Sequence, residues 1–64
     1  MKWTIDYSAI NTRSKMRDGG QIERDNEDDV WQAFREEELF IKRYGLVIDA
    51  AILIKPDGTQ QRIK

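Results

Sequence analysis

Residues Leu46 to Ile54 read Leu-Val-Ile-Asp-Ala-Ala-Ile-Leu-Ile, an almost unbroken apolar run in a chain of 64 residues. The run is far shorter than the ~20 residues a membrane-spanning helix needs, and its β-branched content suits a strand. A strand apolar on both faces belongs in the middle of a sheet or against a partner. Strict alternation puts Leu46, Ile48, Ala50, Ile52 and Ile54 on one face. Val47, Ala51 and Leu53 take the other, interrupted by Asp49. That second face is expected to have no helix left to cover it, which makes a homodimer contact one reading of it.

The remaining segments supply elements to build around this strand. Met1 to Ile10 alternates, with Met1, Trp3, Ile5, Tyr7 and Ala9 on one side and Lys2, Thr4, Asp6 and Ser8 on the other, the pattern of a half-buried strand. Asn11 to Asp18 is polar and reads as a long, mobile loop closed by a turn at Gly19-Gly20, after which Gln21 to Arg24 is a short return strand. Asn26 is placed to cap a helix, with Asp29 three residues on and Glu27, Asp28 and Asp29 filling a first turn where the helix dipole favours anions. Val30, Ala33, Phe34, Ile41 and Tyr44 then share one stripe, with Phe40 at its edge. Gly45 suits the residue after the helix. The spacing predicts a helix over residues 27–44; the rival ends near Glu38. Lys55-Pro56-Asp57-Gly58 is a turn, and Thr59 to Lys64 returns as a polar edge strand. The expected fold is a single α+β domain over residues 1–64, ordered ββαββ, with one helix on one face of an antiparallel sheet of about four strands.

Chemistry-bearing residues are few. The chain has no His and no Cys, so thiol chemistry, zinc ligation by those residues and a histidine proton shuttle are absent, and Ser8 and Ser14 have no imidazole to activate them. Asp25, Glu27, Asp29 and Glu36 fall at calcium-loop spacing, but Val30 stands where such a loop needs glycine, and a helix start explains the acids better. The expectation is a non-enzyme without metal or cofactor. The N-terminal hexapeptide carries Lys2 and Asp6 and shows no signal-peptide core, and no run reaches membrane length, so the expected location is the cytoplasm.

The net charge of −1 hides a division. Residues 23–38 hold eight acids against Arg24 and Arg35, a balance of −6, while the rest of the chain carries +5. Helix polarity accounts for Glu27 to Asp29 but not for Glu36, Glu37 and Glu38, which lie in the second half. The plain reading is a solvated face with Glu38 set to pair with Lys42; the functional one is an acidic surface that engages a basic protein groove. Trp31 beside it is a candidate contact. Arg13, Lys15 and Arg17 in the loop suit either solubility or contact with a phosphate backbone, without aromatics interleaved among them for base stacking.

The order of elements, the run Gln21-Ile22-Glu23 followed by Asn26 and a helix, the hairpin Lys55-x-Asp-Gly58, and Met1-Lys2, Glu37 and Phe40 together resemble the small phage-encoded anti-CRISPR proteins that inhibit type I-F systems. The resemblance implies a helix packed on an antiparallel sheet and, as partner, the Cas protein backbone of a CRISPR surveillance complex in a bacterial host. It implies inhibition by keeping target DNA out. Where that family carries a basic helix segment linked to DNA contact, this chain has Trp31, Gln32 and Ala33, so the resemblance carries over to blocking a protein surface and not to recruiting DNA. The expected function is thus a phage or mobile-element inhibitor using Trp31, Glu36, Glu37, Glu38, Arg13, Lys15 and Arg17. The alternatives are a nucleic-acid-binding module using the loop bases directly, and a homodimeric structural protein.

Overall fold

A computed structural model describes residues Met1–Lys64. The chain runs β1 (Trp3–Asn11), β2 (Arg17–Arg24), α1 (Glu27–Lys42), β3 (Leu46–Ile54) and β4 (Gln60–Arg62). The strands form one antiparallel sheet in the order β2-β1-β3-β4, and α1 packs on one of its faces. This is the expected α+β arrangement.

The apolar run does lie at the centre of the sheet, but it is not a regular strand. Ser8 pairs with Ala50 and Ala9 with Ile48, so Asp49 is an extra residue in the β1–β3 ladder. An extra residue reverses the alternation beyond it. Ile48 faces the helix on one side of the bulge, and Ala51 and Leu53 face it on the other; all three are buried. The expected second apolar face of Val47, Ala51 and Leu53 is therefore corrected: Ala51 and Leu53 are core, while Val47 and Ile52 are exposed. Ile5, Ala9, Ile22, Val30, Phe34 and Ile41 complete the core, with Trp3, Tyr7 and Trp31 packed at its margin. No polar side chain is buried in it.

The β1–β2 connection is also tighter than expected. Asn11 Oδ1 accepts from the amides of Arg13 (2.9 Å) and Ser14 (3.0 Å). Asn11 N bonds Met16 O at 2.8 Å. Lys15 takes a positive φ of 63°. Strand pairing then resumes at Arg17, so Arg17 lies in a strand and not in a loop. Gly19 and Gly20 are strand residues as well. A Cβ at Gly20 would sit 2.7 Å from Tyr7 Oη, because the Tyr7 ring lies across β2 at that point. Within the glycine pair that reads as a turn, Gly20 is a seat for the Tyr7 ring and Gly19 lies close to the Tyr7 carbonyl.

The helix begins as its sequence implies, with Asn26 Oδ1 accepting from Asp29 N at 2.9 Å. It continues past Glu38, which removes the shorter alternative, and stops at Lys42 with Arg43 as C-cap. Gly45 follows at φ 81°. Since the chain leaves the helix before Tyr44, that residue loses its place on the apolar stripe and is exposed. At the far hairpin Gly58 N bonds Lys55 O at 2.9 Å, as the Lys-Pro-Asp-Gly turn requires.

The bulge can be checked by mutation. Leu53→Ala, at a fully buried site, should lower unfolding free energy by about 2–5 kcal/mol in urea titrations. Ile52→Ala next to it should lower it by less than about 1.5 kcal/mol, most of that side chain's burial being incomplete. Uninterrupted alternation requires the opposite order.

Candidate interaction surfaces

The acids of α1 divide according to what the helix faces. Glu38 does not pair with Lys42; its carboxylate lies 3.0 Å from Lys64 Nζ and ties the helix to the chain beyond β4. Glu37 lies beside the Tyr7 hydroxyl, whose pKa is raised by burial first and then by the Glu37 charge. Glu36 reaches only Gln32, on its own helix. Asp29 is used in the cap, and Glu27 accepts from Trp31 Nε1 at 3.3 Å. The Trp31 ring meets Phe34 edge-on, centroids 6.4 Å apart, and is half-buried at the core margin. Asp28, Trp31, Gln32 and Arg35 line a shallow depression on the outer surface. Glu27, Asp28, Asp29 and Glu36 have no cation within ion-pairing distance; the molecule's three ion pairs are Lys2–Asp25, Arg17–Asp49 and Lys64–Glu38.

The opposite end is basic. α1 runs alongside β1, so its last turn ends at the β1–β2 hairpin, where Thr12 N bonds Gly45 O at 3.0 Å. This places Arg13 and Lys15 at the same end as Lys42 and Arg43, and none of these four is in an ion pair. Phe40 (54% exposed) and Tyr44 (65% exposed) belong to that end too, their rings 5.4 Å apart. No aromatic is interleaved among the loop bases, as the sequence shows; the two at this end belong to the helix and the turn that follows it. The structure thus separates Arg13 and Lys15 from Trp31 by most of a helix length and gives Arg17 a separate task.

That task is to meet Asp49. Arg17 Nη1 lies 2.8 Å from Asp49 Oδ2, and Ser8 Oγ donates to Asp49 Oδ1 at 2.8 Å. The Ser8 hydroxyl, followed by the Arg17 charge, holds the Asp49 carboxyl below its ordinary value. These three residues tie β2, β1 and β3 together on the helix-free face of the sheet.

A further feature had no signal in hydropathy or motif. β4 pairs with β3 only from Ile52 to Ile54, extended by Ile63 and Lys64 bonding to Ala51. No strand pairs with the outer edge of β3 from Leu46 to Asp49. Beside that open half lies a groove of about 250 Å³ between α1 and β3, lined by Leu39, Lys42, Leu46, Val47, Ile48 and Lys64 together with Glu38.

The chain matches no protein-family model, no curated protein and no solved structure. No group of three or more carboxylates is arranged to hold a metal ion. No helix is long and apolar enough to cross a membrane.

Because the Asp49 carboxyl is held below its ordinary value, the Ser8–Asp49–Arg17 cluster stabilises the fold above the normal carboxylate range. That contribution is lost as pH falls through the lowered pKa. Asp49→Asn should therefore reduce the urea midpoint at pH 7, and the gap from the parent chain should close as unfolding is repeated toward pH 2.

Proposed function

We propose that this chain is a non-catalytic interaction protein that inhibits a nucleic-acid-handling complex of a bacterial host by occupying a protein surface. The observation that carries this reading is the set of acids on α1 that make no ion pair: Glu27 and Asp28 beside the half-buried Trp31, and Asp29 and Glu36 on the neighbouring flank of the helix, with Arg35 and Arg24 at the borders of the two patches. Such a surface complements a basic groove built for a phosphate backbone, and it would steer and orient docking there. The resemblance to type I-F anti-CRISPR proteins supports the same target class, a CRISPR surveillance complex. Within the set Trp31, Glu36, Glu37 and Glu38, the geometry favours Trp31 and Glu36 as contacts, since Glu37 and Glu38 face Tyr7 and Lys64.

The test is capture of partners from a bacterial lysate by the tagged protein. The expected result is recovery of a nucleic-acid-handling complex, with binding at least about tenfold weaker for the triple variant Glu27→Gln, Asp28→Gln, Glu36→Gln and weaker still in high salt. Recovery of no such complex overturns the proposal.

A second reading rests on the basic end. Exposed Phe40 and Tyr44 beside Arg13, Lys15, Lys42 and Arg43 combine the stacking surface and the cations that single-stranded nucleic acid uses. Under it, a fluorescent single-stranded oligonucleotide should bind with steep salt dependence, and Phe40→Ala should weaken binding by about 1–3 kcal/mol. Absence of binding at low salt removes this reading.

A further inference from the structure

The open half of β3 is a short edge, ended by the bulge at Asp49 and flanked by Lys42 and Lys64. Those features limit indiscriminate pairing but leave unpaired amides and carbonyls over a few residues. Here the unpaired segment is Leu46-Val47-Ile48, with the charge of Asp49 drawn to the helix-free face by Ser8 and Arg17. Val47 is 45% exposed, and Leu39 on the facing helix is 67% exposed. The groove between them is lined by Leu39, Leu46, Val47 and Ile48 together with Glu38, Lys42 and Lys64. Glu38 neutralises Lys64, whereas Lys42 has no ion-pair partner.

We propose that this half-edge receives an extended, acidic segment of the partner protein, added to the sheet in line with β4. Main-chain hydrogen bonds to β3 would hold the segment, alternate side chains would fill the groove beside Leu39 and Leu46, and a carboxylate would meet Lys42. The opening spans Leu46 to Asp49, about 13 Å at the rise of an extended strand, so the recognised segment is short. A second copy of this chain fits less well: its own open segment, Leu46-Val47-Ile48, carries no carboxylate for Lys42, and the next residue, Asp49, is engaged by Ser8 and Arg17. The inference deepens the protein-binding reading and rests on it, giving the partner a chemistry.

The test selects random displayed heptapeptides on the intact protein and synthesises the winners. The expected winners alternate β-branched residues and carry Asp or Glu. Their binding slows hydrogen exchange at the amides of Leu46 to Asp49. It weakens at least about tenfold when alternate peptide nitrogens are methylated, which removes hydrogen bonds without changing side chains. Leu39→Glu, at an exposed site, should weaken it comparably. Failure to select any peptide, binding indifferent to N-methylation, or protection confined to other amides overturns the proposal. So does self-association in sedimentation that Val47→Glu abolishes, which assigns the edge to a second copy. These readouts need no lysate partner. Failure of the capture experiment therefore leaves them to stand or fall separately.

Discussion

An aspartate in the middle of an apolar central strand must reach water or hydrogen-bonding partners, and Asp49, on the face opposite Ile48, is the extra residue of the β1–β3 ladder. Its carboxylate meets Ser8 and Arg17 on the helix-free face, joining three strands across the sheet. The same bulge turns Ala51 and Leu53 toward the helix while Ile48 stays there. A regular strand would have placed Leu53, one of the largest buried side chains, in solvent. In a chain this small, whose core is nine apolar residues, one misdirected leucine is a large fraction of the stability. The polar cluster and the core are therefore one constraint seen from the two faces of the sheet.

Much of the fold is legible wherever local chemistry decides it. Asn26 caps because its carboxamide answers an orphan amide three residues ahead. Gly45 and Gly58 take positive φ where a helix and a turn end. Features set by contacts distant in sequence are not legible. The Gly19-Gly20 pair carries a turn signal, yet its meaning comes from Tyr7, a cross-strand neighbour. Tyr44 follows the helical stripe on paper, but the stripe ends with the backbone, and Arg43 ends it first. The bulge leaves only one trace in the sequence, the acid at position 49, and that trace suits an interrupted face equally well.

The candidate surfaces show the same division. The sequence separates acids from bases, and the path of α1, in the same direction as β1, turns that into a separation in space: acids around the start of the helix, Arg13, Lys15, Lys42 and Arg43 around its end. Which acids are free is a question of packing. Glu37 and Glu38 have no local reason for their charge, and their reasons lie on β1 and beyond β4, in Tyr7 and Lys64. Glu36, one residue earlier, turns outward and finds only Gln32. Removing two of three glutamates from the candidate contact leaves a surface centred nearer the helix start, around Trp31.

Behind the Lys55–Gly58 turn, β4 and the residues after it cover β3 as far as Ala51. Glu38 meets Lys64 at 3.0 Å where that cover stops, an exposed ion pair that adds a modest tie between α1 and the residues after β4. The half of β3 that β4 leaves unpaired therefore lies beside a groove walled by α1, the helix that covers the core, with Lys64 at its boundary.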